Sequence, residues 1–296
     1  MADPPGTPEA DTEAGTGAGT DADATSGPGP GDPPRGDWLG TPFLRFERHG
    51  PLAHLVVDRP QARNALTPSM YFGIRYAVDH VGRDPDLAGL LITGVDDVFM
   101  PGGDPFSTED SWGGVAEHLG MDITPFDAVR RAPKPVVCAV NGICQGGGLV
   151  IAMLCDVAVA SDRATFRAPE LFRGIADMNY AQVLPRQIGP ARARDMLLTG
   201  RVVTAAEAEA WGLVARVVPH DELLARATEV LAQCCRTAPA ARRDVKRAFH
   251  EYYGTYDRMT MEASFDRPEM AEGWAAFREK RSPDWVHPDL RTPGRL

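Results

Sequence analysis

The sequence lacks any run of ~18 or more apolar residues, the length that a membrane-spanning helix needs. Its first residues carry acid instead of base and no apolar stretch follows them, so no secretory signal is expected. Cysteine is scarce and odd in number. Cys138, Cys144, Cys155, Cys234 and Cys235 show neither a disulfide framework nor metal-ligand spacing, and are read as reduced thiols of a cytoplasmic protein. The adjacent Cys234 and Cys235 fall in a helical stretch and are read as packing residues. The histidines (His49, His54, His80, His118, His220, His250 and His287) have no His-x-x-x-His or carboxylate spacing, so no metal site is expected. Basic residues are outnumbered, 31 against 41 acids, which leaves no nucleic-acid footprint. A dinucleotide fingerprint is absent too, because the glycines read Gly142-x-x-x-Gly146-Gly-Gly and fall in mid-chain.

What is present divides unevenly along the chain. Residues 1–36 hold eight Gly, seven Pro, no aromatic residue and a net charge of −6 out of the total of −10. Such a segment buries too little apolar surface to offset its ordering entropy, so residues 1–37 are read as a disordered acidic tail. From there the pattern alternates. Phe43-Leu-Arg-Phe-Glu47 and Leu52-Ala-His-Leu-Val-Val57 flank His49-Gly50-Pro51 as a hairpin. A helix is predicted over 68–81, a strand around Leu90, and a short helix over 125–131. Strands follow at 135–140, 156–160 and 164–166, with a last one at 213–218. Thr204-Ala-Ala-Glu207 is a capping-box signature, and Gly212 is placed to end that helix. Helical periodicity covers 221–236, 239–252 and 261–279. The expected fold class is α/β, with a core over 38–219 and a helical region over 220–296.

Two glycine turns stand out against this background. Phe99-Met-Pro-Gly-Gly-Asp104 follows the apolar run Leu87-Ala-Gly-Leu-Leu-Ile-Thr93. Asn141-Gly-Ile-Cys-Gln-Gly-Gly-Gly148 lies between the apolar runs Pro135-Val-Val-Cys-Ala-Val140 and Leu149-Val-Ile-Ala-Met-Leu154. Consecutive glycines cost conformational entropy that packing does not return. They fit where backbone N–H groups must approach a ligand, and two such strand ends together read as an oxyanion hole.

These residues, with Arg59-Pro-Gln-Ala-Arg-Asn-Ala-Leu66, Lys134-Pro-Val-Val-Cys-Ala-Val-Asn-Gly142, Cys155-Asp156, Pro169-Glu170, Leu198-Thr-Gly200 and 205–214, resemble the crotonase superfamily, the enoyl-CoA hydratase/isomerase proteins. The likeness runs from residue 40 to about residue 290. It implies a crotonase-like spiral of ββα turns followed by a C-terminal helical trimerisation subdomain, assembled as a homotrimer or dimer of trimers. It also implies an acyl-CoA thioester substrate, with coenzyme A as part of the substrate and no separate cofactor. The resemblance puts the two oxyanion N–H groups at Gly103 and Gly147 and CoA contacts at Gln61, Ala62 and Arg63. Arg63 or Lys134 is a candidate for phosphate. Asp104, carried with the substrate-binding set, is read from its position as a residue that fixes the turn.

The family's hydratases use two glutamates, three and 23 residues beyond the middle glycine. Here the first position is Val150, which cannot hold or deprotonate water, and the second is Glu170. One carboxylate suffices to move a proton from the α to the γ carbon, so single-base isomerisation is favoured with Glu170 as the base. The competing reading of Glu170 is a helix-start carboxylate after Pro169. Asp177 is a second catalytic candidate. Counting back from Leu184-Pro185 places it where dienoyl-CoA isomerases hold an aspartate, whereas counting forward from Glu170 places Met178 there. Its alternative role is to cap the next helix. Hydration proper, hydrolysis of a CoA ester or diketone through Asp177, and acyl-CoA binding without catalysis remain the alternatives. Cys144 is read as packing. Trp112, Phe126 and Tyr180 are candidates for the acyl pocket, walled by the irregular loop 105–125.

Overall fold

The computed structural model describes residues 38–107, 125–254 and 257–291, so the expected tail, most of the expected acyl-pocket loop and Trp112 lie outside the described residues. The opening hairpin forms as expected, with β1 (Leu44–His49) antiparallel to β2 (Leu52–Val57). Parallel strands β3 (Gly89–Gly94), β5 (Val136–Val140), β7 (Val157–Ser161) and β10 (Arg216–Val218) extend it into a six-stranded sheet, order β1-β2-β3-β5-β7-β10. Every residue of β5 is buried, which is why it reads as an unbroken apolar run without alternation.

A second sheet, of order β4-β6-β8-β9, contains β4 (Val98–Met100), β6 (Ile143–Gln145), β8 (Thr165–Arg167) and β9 (Val203–Thr204). The chain visits both sheets on each pass: β3 then β4, β5 then β6, β7 then β8. This is the expected spiral. The sequence reading ran the strand at 135–140 directly into a glycine turn and missed β4, β6 and β9. Strands of two or three residues are too short to show a period.

Two asparagines hold the corners between the sheets. Asn64 accepts from the Arg59 N–H (3.0 Å) and donates to the Val98 carbonyl (2.7 Å). Asn141 accepts from the Gly94 N–H (3.1 Å) and donates to the Asp96 carbonyl (2.9 Å). Both side chains are buried, and they supply partners to backbone where the chain leaves one sheet and enters the other.

The helices are α1 (Pro68–Arg83), α2 (Pro125–Arg131), α3 (Gly147–Leu154), α4 (Met178–Ile188), α5 (Pro190–Thr199), α6 (Ala205–Trp211), α7 (Leu223–Cys235), α8 (Pro239–Tyr253), α9 (Arg258–Phe265) and α10 (Pro268–Glu279). The capping box of Thr204 and Glu207 starts α6, and Gly212, at φ +81°, ends it. One helix was expected over 261–279, but α9 ends at Phe265 and α10 begins at Pro268. The proline has no N–H to donate back, so it serves only as a helix start. Although it follows the expected boundary at residue 219, α7 closes the core. Its Leu223, Ala227, Val230 and Leu231 pack on Leu91, Val137, Ala139 and Val159 of the large sheet. Cys234 and Cys235 border that cluster, as packing residues should. The buried Lys246 of α8 pairs with Asp156 (2.6 Å), which also accepts from the Val136 N–H, and so ties α8 to the start of β5.

Candidate active site

The two glycine turns meet. A Cβ built on Gly146 would stand 2.7 Å from the Gly102 Cα, closer than any side-chain atom can come. Gly146 also has φ +54° and ψ −138°, a backbone state suited to glycine. Leu66 donates to the Gly102 carbonyl (2.9 Å), and Asp104 donates to the Leu66 carbonyl (2.8 Å). This bridge uses the residues on either side of Gly103, so the N–H of Gly103 itself turns away from Leu66. Gly147 is the first residue of α3, and its N–H belongs to the helix turn that has no acceptor within the helix. The two expected oxyanion donors therefore lie on adjoining turns, one of them at the positive end of a helix dipole.

Glu170 opens a short 3₁₀ turn over Glu170–Arg173. Its Oε1 lies 3.3 Å from the Cβ position of Gly146, directly beside the turn crossing. The Tyr180 hydroxyl donates to the Gly146 carbonyl (2.7 Å) and stands 3.4 Å from Glu170 Oε1. Glu170 Oε2 is buried and has no hydrogen-bond partner among the described residues. Burial above all, and then the negative charge of Asp177, push the Glu170 carboxyl up to about 8, against smaller opposing effects that include Tyr180 and Arg173. Val150, one helical turn beyond Gly147, is fully buried and has no polar side-chain atom.

Asp177 takes the position that its sequence alternative named. It is the N-cap of α4, accepting from the Asn179 N–H (2.9 Å) and from Asn179 Nδ2 (3.0 Å). Burial raises its pKa while these hydrogen bonds oppose the rise. Its charge reaches Glu170, so the two carboxyls belong to one electrostatic unit.

Tyr71 of α1 was missed by the sequence reading. A Cβ on Gly147 would meet its hydroxyl at 2.2 Å and two of its ring carbons at 2.9 Å, so the hydroxyl end of the Tyr71 ring lies directly against the middle glycine. Burial, followed by the charges of Glu170 and Asp177, raises the phenol far above its ordinary value. Tyr71 is thus a neutral donor at working pH, and its ring meets Phe126 edge-on at 5.9 Å. An apolar period on α1 explains every buried neighbour of Tyr71, which hides a polar group on the same helix.

The remaining candidates divide. Gln61 and Ala62 lie in the 3₁₀ turn Pro60–Ala62, and Arg63 ends it at φ +50°. Gln61 and Arg63 are exposed just ahead of Leu66, the residue that bridges Gly103. Asp104 pairs with the buried Arg59 (2.8 Å) and accepts from the Phe106 N–H (3.1 Å), which holds the turn in shape as read. Lys134 is a correction. Its ammonium is taken by the carbonyls of Asp84 and Leu87, at the start of β5, whereas the glycine turn follows the other end of that strand. Cys144 is buried and its thiol is pushed up by desolvation, so it is a packing residue.

Three of the residues read as scattered or unremarkable come together on the hairpin. Antiparallel register places Glu47 opposite His54, with His49 two residues along from Glu47, and ligand atoms of the three lie within 4.8 Å of one another. Cross-strand neighbours have no fixed sequence spacing, so a spacing search passes over them.

Fold and paired glycine turns together define a crotonase-superfamily protein that acts on acyl-CoA thioesters. The family model described as Enoyl-CoA hydratase/isomerase matches residues 47–288, and the chain belongs to that family. The chain is 36% identical over 253 residues to a probable enoyl-CoA hydratase of Mycobacterium tuberculosis, covering 82% of this chain and 98% of the relative. It is 35% identical over 251 residues to a crotonyl-CoA hydratase of Syntrophomonas wolfei, covering 81% and 96%. Among solved structures, an enoyl-CoA hydratase from Mycobacterium avium subsp. paratuberculosis superposes with a TM-score of 0.71 at 26% identity, covering 83% of this chain and 99% of that one. A monofunctional enoyl-CoA isomerase from M. smegmatis superposes with a TM-score of 0.62 at 29% identity, covering 77% and 100%. No helix among the described residues is long and apolar enough to cross a membrane.

Proposed function

We propose that this chain is a single-base enoyl-CoA isomerase. Glu170 takes the proton from the α carbon of a 3-enoyl-CoA, the electron pair moves onto the thioester oxygen between the N–H groups of Gly103 and Gly147, and Glu170 returns the proton at the γ carbon. The carrying observation is Glu170 itself: one buried carboxyl with an unpartnered oxygen, next to the glycine crossing, with Val150 instead of a carboxylate on α3. A pKa of about 8 is well matched to accepting and then releasing a carbon-bound proton near neutral pH.

The ionised form is the active base. Below pH 8, kcat/KM for a 3-enoyl-CoA therefore rises about tenfold per pH unit, then levels off above it, reporting the free enzyme. A profile already flat from pH 5 to 9 would remove Glu170 from the base role.

Hydration is the second reading, because the curated relatives are mostly named hydratases and the Tyr71 hydroxyl can hold a water beside Gly147. Crotonyl-CoA and a 3-enoyl-CoA offered side by side separate the two. Isomerisation ahead of hydration supports the first reading, and efficient hydration of crotonyl-CoA supports the second.

Assembly as a trimer or dimer of trimers accords with an apolar stripe on α8, where Val245, Phe249 and Tyr252 recur at helical spacing and Phe249 and Tyr252 are each 61% exposed. Light scattering should give the mass of three or six chains, and Phe249→Asp should shift it to smaller species. A monomeric parent would refute the assembly.

A further inference from the structure

We infer that the β1–β2 hairpin carries a divalent transition-metal site, of the kind zinc occupies, formed by Glu47, His49 and His54. Glu47 and His54 face each other across the antiparallel pair, and His49 shares their face because it lies two residues from Glu47. One ligand atom from each lies within 4.8 Å of the other two. The site is separate from the glycine crossing and from the chemistry assigned to Glu170.

Two of the ligands, His54 and Glu47, are each oriented by a partner. Thr228 of α7 sends its hydroxyl hydrogen to the Leu224 carbonyl (2.7 Å), so toward His54 Nε2, 3.4 Å away, its oxygen can only accept. The tautomer this contact favours has the hydrogen on Nε2, and that tautomer keeps the Nδ1 lone pair for a metal. This is the arrangement in which the second ring nitrogen of a ligating histidine is fixed by a hydrogen bond. Glu47 Oε1 is taken by Arg45, itself anchored on Asp58 (2.8 Å), which leaves Oε2 facing His49 Nε2 at 3.5 Å. Metal bonds of ~2.0–2.2 Å place neighbouring tetrahedral ligands a little over 3 Å apart. The half-exposed His49 can close the remaining distance by a side-chain rotation, while the buried His54 stays fixed.

Two neutral imidazoles and one carboxylate form a donor set suited to zinc and its neighbours, and less to magnesium or calcium. Through His54 and Thr228 the ion would tie the edge hairpin to α7, and so would act as a clamp on the outermost strand of the large sheet.

The test uses the full chain, stripped with a chelator and titrated with Zn²⁺ by calorimetry. One ion per chain is expected, with an affinity lowered roughly tenfold or more in His49→Ala and in Glu47→Gln. Both positions are at least partly exposed, so the variants should fold, which circular dichroism checks. His287→Ala, a change at an exposed histidine elsewhere, should bind like the parent. Co²⁺ at the site should show d–d bands without the near-ultraviolet thiolate band that Cys234 or Cys235 would add. Absence of binding by the parent, equal binding by His49→Ala, or a thiolate band would overturn the assignment.

Discussion

Glu170→Gln is expected to lower turnover of a 3-enoyl-CoA by ~10²–10⁴-fold while making the folded chain more stable. The two effects share one origin. Glutamine has the shape of the glutamate but cannot accept the α proton, so chemistry stops while CoA-ester affinity stays nearly unchanged. The parent carboxyl has an ordinary value of 4.5 and is pushed up to about 8 by burial and by Asp177. Below pH 4.5 it is protonated whether the chain is folded or unfolded, and it costs nothing. Between pH 4.5 and 8 the unfolded chain ionises and the folded one does not, so stability falls as pH rises. At ~1.4 kcal/mol per pKa unit the loss is about 4–5 kcal/mol by pH 8. Glutamine does not titrate, so the advantage of the variant grows across that window. Urea midpoints at pH 5 and pH 8 measure this, with 3-enoyl-CoA turnover measured alongside. Retained turnover would remove the single-base mechanism, and a pH-independent difference in midpoint would remove the raised pKa.

The second large effect is expected from Gly147→Ala, with a loss of ~10²–10³ in kcat. Backbone conformation is not the cause, since Gly147 is an ordinary first helical residue and does not have positive φ. The cause is contact. The new methyl would stand 2.2 Å from the Tyr71 hydroxyl and 2.9 Å from its ring, and that ring is backed by Phe126. Either the ring shifts into the substrate space or the first turn of α3 moves and takes its N–H off the thioester oxygen. Adding Tyr71→Ala removes the obstacle, so the double variant should recover part of the loss. Stopped assays on the parent, the two single variants and the double variant close the cycle. If Gly147→Ala alone keeps parental kcat, the N–H of Gly147 is not an oxyanion donor.

The two glycine turns were legible because a glycine pair or triplet between apolar strands has few other physical explanations, whereas the choice of Gly103 and Gly147 within them came from the family resemblance. Glu170 and Val150 were singled out only by the family's register from those glycines, because a single glutamate after a proline looks like any helix start. Asp177 offered two roles. The structure gives it the N-cap of α4 and, through its charge, an influence on Glu170. Tyr71 could not be found in this way. It lies 76 positions ahead of Gly147 in the chain, and only the tertiary fold puts its hydroxyl at the glycine. The same holds for His54 and Glu47, joined by strand register across a turn, and for Lys134, whose charge the loop before β3 consumes.

The sequence by itself determined the elements with long periods and strong end signals: the hairpin, the inner parallel strands, the capped helix α6, and the glycine turns. Local chemistry suffices there, because burial, capping and glycine's backbone freedom act over a few neighbouring residues. Only the tertiary structure decided the short second sheet, the break at Pro268, the closing of the core by α7, and the company kept by Glu170, Tyr71 and the hairpin histidines. Those depend on desolvation and contact between distant segments. A pKa or a metal-binding geometry is set by what surrounds a side chain in space, and sequence order does not record it.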